Sequence, residues 1–183
     1  MPKIIEGIRD SILTSARNQL RENGYSALSL RGVANECGIA VGTTYNYFNS
    51  KEALADAVVM EDWEACLNAP VIKDPEKCPI EDTIMDLYRS ICQFYADYTG
   101  LGFTSRRKNV DINLVDKHYD EFASELTKLL KTIVRSYGYN ESESFLHLIA
   151  ESALTAASHD VDDYEFEKLI DRVLVVTRKK KRN

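Results

Sequence analysis

Gly42-Thr43-Thr44-Tyr45-Asn46-Tyr47 sets two aliphatic hydroxyls, a carboxamide and two phenols side by side without a formal charge, and Lys51 stands four positions further on. Such groups suit a nucleic-acid surface. Hydroxyls and carboxamides bond base edges or phosphate oxygens, and a threonine methyl can touch the methyl of thymine. Gly42 removes a side chain where a helix would meet DNA, and Tyr45 and Lys51 can reach phosphates. Other chemistry is poorly supplied. His147 and Glu151 are four apart, as metal ligands on one helix face can be, but a lone pair of this kind reads as an ordinary hydrogen bond and no metal is expected. No nucleophile beside a base, phosphate-cradling glycine loop or paired metal ligands stand out, so neither an enzyme nor a cofactor is expected.

The groups at 42–47 need a helix to present them, and the flanking residues supply one. Ser29 is an N-cap for a first short helix carrying Leu30, Val33 and Ala34 on one face. Gly38 follows at a C′ position suited to the left-handed conformation, and Ile39 can pack back over the end. A second short helix runs from Val41 to Phe48; Asn49 and Ser50 break it, and Ser50 caps a longer helix starting at Lys51. Two short helices across a glycine turn make a helix-turn-helix, whose second helix enters the major groove N-terminus first.

The stretch from Gly24 to Leu54 resembles the N-terminal DNA-binding domain of the TetR family of transcriptional repressors, and the likeness extends over about residues 4–60. It rests on a first helix ending in Gly24-Tyr25, the capped LRGVA helix, CGIAVGTTYNYF, and NSKEAL opening a fourth helix. Ala40 departs from the Ser or Thr that usually caps the recognition helix, at a local cost of about 1 kcal/mol. Thr44 departs from the usual apolar residue. The resemblance implies that Ser29, Arg31, Val41, Gly42, Thr43, Thr44, Tyr45, Asn46, Tyr47 and Lys51 meet a double-stranded operator. It also implies an all-α fold of about nine helices: a helix-turn-helix domain over residues 1–50, then a regulatory and dimerisation domain over 51–183 with 51–68 as connecting helix.

Composition agrees. Of 183 residues, 44% are apolar and 28% charged, with four prolines and eight glycines, which suits a helical chain with its own core. The net charge of −6 is unevenly placed: residues 1–60 hold six basic and six acidic side chains, and RKKKR at 178–182 adds five positive ones, so the acidity lies in the remainder. No stretch reads as a membrane span or a signal peptide, which makes the cytoplasm the expected compartment. Cys37, Cys66, Cys78 and Cys92 form no CxxC pair, and neither a metal cluster nor a disulfide is expected; Cys37 reads as a small core hydrophobe, with a redox switch the alternative.

Apolar spacing places a first helix over 4–22, with Ile4, Ile8, Ile12, Ala16 and Leu20 as a stripe edged by Arg9, Arg17 and Arg21. These arginines read as solvated charges, with DNA contact the alternative. The proline-bearing 69–80 is a loop. A helix from Ile80 ends at Gly100, 101–117 is a short helix or loop, and further helices cover 118–137, 143–158 and 163–177. Tyr88, Tyr95, Phe103, His118 and Phe122 could line a pocket for a small apolar or aromatic ligand, a reading the resemblance strengthens; plain core is the alternative. The last two helices carry surplus apolar surface, and the resemblance implies that they pair with their copies in a homodimer through Phe145, Ile149, Ala153, Ala157, Phe166, Ile170 and Val173. Control without a small-molecule inducer, by a partner protein or by abundance, remains the other reading.

Overall fold

The computed structural model describes residues 7–68, 73–99, 114–159 and 161–180. Among them are nine helices and no strand: α1 (Ile8–Ala27), α2 (Leu30–Glu36), α3 (Val41–Tyr47), α4 (Lys51–Asn68), α5 (Ile80–Thr99), α6 (Leu114–Lys117), α7 (Tyr119–Ser136), α8 (Glu143–Ser158) and α9 (Asp163–Lys180). The all-α expectation is confirmed. The chain forms two compact units, one within 1–64 and 96–118, the other within 65–95 and 119–183. This grouping by compactness differs from the functional division at residue 50 read from the sequence.

In the first unit, Ile12, Leu13, Ala16 and Leu20 of α1 are fully buried, as their spacing requires. The helix runs past the expected stop at residue 22, but Gly24 breaks it with φ 77 and ψ 170, and Tyr25–Ala27 form a further turn beyond the kink. Ser29 Oγ accepts from Gly32 N at 3.0 Å, capping α2. At the other end of α2, Gly38 has φ 64, and Ile39 N donates to Ala34 O at 3.0 Å. A left-handed C′ glycine followed by this return bond is the Schellman ending. Ser50 Oγ accepts from Ala53 N and caps α4. The buried side of α4 is Leu54, Ala55, Val58, Val59 and Trp63. Ala57, between Ala55 and Val58, is only half-buried.

In the second unit, α7 buries Phe122, Leu126, Leu130 and Ile133, and Phe94 of α5 meets the Phe122 ring edge-on at 5.6 Å. Gly138, with φ 74, ends α7, and Tyr139 N donates back to Val134 O. Ser142 caps α8 through Phe145 N, and α8 spans 143–158 as its apolar pattern required. Tyr88 of α5 stacks on Phe166 of α9 with ring centroids 3.8 Å apart.

Candidate nucleic-acid interface

The reading surface is built from α1 outward. Glu36, on the last turn of α2, accepts from Ser15 Oγ at 2.6 Å and from Gln19 Nε2 at 2.7 Å. The Cys37 thiol donates to Ser11 O at 3.4 Å. Residues 11, 15 and 19 lie four apart, so one stripe of α1 grips the turn that precedes α3. Burial raises the Cys37 thiol above its ordinary range, which keeps it protonated as a donor. Phe48, 7% exposed, closes the core beneath α3.

On α3 the candidates separate. Gly42, Tyr45 and Asn46 are exposed, and Val41 and Thr43 are half-buried; Tyr45 keeps 54% of its surface free although it is a large aromatic. A Cβ built on Gly42 would meet nothing within 4 Å, so no neighbour in the chain requires a glycine there. Thr44 is a correction. It is fully buried and cannot touch DNA, because it shares the inward side of the helix with Phe48, four residues on. Its Oγ1 has no hydrogen-bond partner, and neither has the buried hydroxyl of half-buried Tyr47.

Around α3, Ser29 and Arg31 are exposed, although the Ser29 oxygen is engaged as the α2 cap. Ala40, the N-cap of α3, makes no side-chain bond, as its methyl dictates. Lys51 is not a free cation. Its Nζ lies 4.3 Å from the Tyr25 ring centre and donates to Ser26 O at 3.2 Å, and burial lowers its pKa. Tyr25 in turn donates to Glu52 Oε1 at 3.0 Å, and burial together with Glu52 pushes its phenol up to about 12. This pairing was not read from the sequence, although Tyr25 beside Gly24 was the available signal.

The α1 arginines pair with acidic side chains of their own unit. Arg17 Nη2 reaches Glu61 at 2.5 Å and its Nε reaches Asp62 at 2.6 Å. Arg21 Nη2 reaches Asp62 at 3.1 Å and Asp97 at 2.7 Å. Arg9 lies 5.9 Å from the Phe48 ring centre and 3.7 Å from Glu61.

The remaining candidates sit elsewhere. Tyr88, Tyr95 and Phe122 are each at most 2% exposed and belong to the second unit, whereas His118 lies in the first, its Nε2 3.4 Å from Asp56. Phe103 falls outside the described residues. The Tyr88 hydroxyl donates to Val161 O at 2.6 Å. Of the residues expected at a dimer contact, Ala153, Ala157, Phe166 and Ile170 are only 2–7% exposed within one chain, where its own core covers most of their surface. Phe145, Ile149 and Val173 are half-buried. The exposed apolar residues are Leu148 on α8 and Tyr164 and Leu169 on α9, at 60%, 63% and 40%. His147 Nε2 stands 3.7 Å from Glu151 and its Nδ1 3.1 Å from Thr127 Oγ1; no cluster of three metal-ligating side chains occurs among the described residues.

Residues 12–58 match the family described as bacterial regulatory proteins, tetR family. The chain is similar to the HTH-type transcriptional regulator UidR of Escherichia coli (strain K12), 41% identical over 59 residues that cover 32% of this chain and 30% of the relative. The UidR of Shigella flexneri matches equally. The likeness thus spans under a third of those relatives' length. Among solved structures, a tetR-family transcriptional regulator from Streptomyces coelicolor superposes with TM-score 0.64 at 17% identity, over 90% of this chain and 77% of that one. A putative TetR-family regulator from Rhodococcus sp. gives 0.62 at 13% identity, over 94% and 99%. At such identities these likenesses speak for the fold. The helix-turn-helix of this chain thus resembles that of the TetR family of bacterial regulatory proteins, and the chain shares the fold of solved structures that carry that family's name.

Proposed function

We propose that this protein is a sequence-specific DNA-binding transcriptional regulator, a cytoplasmic homodimer that acts as a repressor on a palindromic operator. One observation carries the reading: α3 turns Gly42, Tyr45 and Asn46 outward, no neighbour in the chain requires the glycine, and α2, gripped at its end by α1, packs behind that helix. Thr43 and Asn46 read base edges, Tyr45 and Arg31 engage phosphates, and Gly42 admits the groove wall. The similarity to UidR over the same segment supports this assignment. No catalytic step is assigned.

Two recognition helices must reach half-sites about 34 Å apart, one helical turn, which calls for a two-fold dimer. Exposed Leu148, Tyr164 and Leu169, with half-buried Phe145, Ile149 and Val173, supply the apolar surface for it on α8 and α9. Release by a small apolar ligand requires that ligand to favour the DNA-incompetent state; a hundredfold loss of operator affinity corresponds to about 2.7 kcal/mol. The alternative, control by a partner protein or by abundance, is favoured by the Tyr88 hydroxyl being spent on Val161 O and its ring on Phe166.

Selection of bound duplexes from a random pool tests the whole reading. An inverted repeat should emerge, and the triple substitution of Thr43, Tyr45 and Asn46 to Ala should abolish its binding. Recovery of no preferred sequence would sink the assignment. A thermal shift across a panel of hydrophobic compounds then separates ligand release from the alternative.

A further inference from the structure

The acidic pair Glu61-Asp62 on α4 does more than neutralise α1. The Asp62 carboxylate, 11% exposed, accepts from three donors on two other helices: Arg17 Nε at 2.6 Å, Arg21 Nη2 at 3.1 Å and the hydroxyl of Tyr98 at 2.8 Å. Tyr98, on the last turn of α5, is fully buried. Its neighbour Asp97 accepts from the same Arg21 Nη2 at 2.7 Å. Burial and the Asp62 charge both raise the Tyr98 phenol, so it stays a donor at any physiological pH. Two arginines and three carboxylates therefore close one network around a buried hydroxyl.

We propose that Asp62, Asp97 and Tyr98 are positioning residues for DNA recognition, a clasp that makes α1 follow the C-terminal turn of α5. A half-buried carboxylate or guanidinium left without its partner is costly, so the network tolerates few partial arrangements. Displacement of Asp97 and Tyr98 strips Arg21 and Asp62 of one partner each unless α1 and α4 move with them. Because α1 carries the Ser15 and Gln19 grip on Glu36, its stance sets that of α2 and the turn into α3. Tyr98 is too buried to touch DNA itself, so any effect on recognition acts through α1. The proposal rests on the DNA-binding reading.

Tyr98→Phe keeps the ring and removes the hydroxyl; Asp97→Asn keeps the shape and removes the charge. Both variants should retain wild-type circular dichroism and bind non-specific duplex within twofold. Operator affinity should fall tenfold or more, and pools with varied half-site spacing should yield spacings one or two base pairs from the wild-type optimum. Arg21→Lys, which keeps the charge, should retain more operator affinity than Arg21→Gln. Operator affinity within twofold and unchanged spacing in both folded variants would overturn the clasp. If either variant fails to fold, Asp97→Glu is put through the same assays with the same criterion. If the wild-type protein selects no operator, the DNA-binding reading falls, and hydrogen exchange at α1 amides 12–20 decides the clasp: faster exchange in Tyr98→Phe supports it, and identical exchange refutes it.

Discussion

Gly42→Ala should move folding stability and DNA affinity in opposite directions. Glycine inside a helix costs roughly 0.5–1 kcal/mol relative to alanine, because the unfolded chain has more freedom to lose. Two glycines in the same unit have internal reasons to be there. A Cβ on Gly32 would come within 3.0 Å of Ser29 Oγ and 3.2 Å of the Gln19 amide, and Gly38 needs its φ of 64. Gly42 has helical backbone and empty space within 4 Å of the built Cβ, so alanine should fit without strain. Its place near the start of α3 trims the helix-propensity gain, which sets the expected increase at about 0.5 kcal/mol and the melting temperature about 1–2 °C higher. A methyl group pressed against the groove should cost at least tenfold in operator affinity, about 1.4 kcal/mol. Differential scanning calorimetry and a fluorescence-anisotropy titration on the selected operator give the two numbers. Alanine binding as tightly as glycine would refute close approach at this position, and a lower melting temperature would show a constraint on residue 42 that the geometry lacks.

Thr44→Val removes a buried hydroxyl without a partner and should raise stability by about 1 kcal/mol while leaving operator affinity within twofold; a destabilised variant in chemical denaturation would mean that the hydroxyl is bonded. Leu148→Arg should separate a dimer, so light scattering should fall from about twice the 20.8 kDa chain mass to that mass, and a wild-type monomer would dispose of the dimer. The Tyr25 phenol is raised in the folded state to about 12, so its contribution is complete below the ordinary phenol range near 10 and is lost as pH climbs from there through about 12. Wild-type protein should therefore lose its melting-temperature advantage over Tyr25→Phe across that window, and a constant difference would show that the Glu52 bond contributes nothing.

The helix-turn-helix was legible because its signals are local. A serine cap, a left-handed glycine and a returning isoleucine each act within a few residues, and each appears in the structure where the sequence put it. Helices α7 and α8 were legible from apolar spacing and from Gly138 and Ser142 at their boundaries. The acidic partners of the α1 arginines were not legible, because Glu61, Asp62 and Asp97 lie some forty to eighty positions away and no spacing rule joins them. Thr44 misled for a different reason: a threonine in a polar string suggests an outward face, but helical phase placed it inward with Phe48. On α8 helical phase again divides the expected residues: Ala153 and Ala157 turn inward, Phe145 and Ile149 are half-buried, and Leu148 remains outside.

The covered state of Lys51 changes what a phosphate contact there would be worth. An ammonium group reaching from bulk water exchanges hydration for a phosphate. Lys51 must first leave the Tyr25 ring face and the Ser26 carbonyl, so its contact is a swap of one set of partners for another. The net gain is smaller than an open lysine would give, but the counterions displaced from the phosphate are the same. Lys51 should thus register in the salt dependence of binding more than in its strength. Were its ammonium to depart for a phosphate, the Tyr25 ring would lose the cation that lies over it.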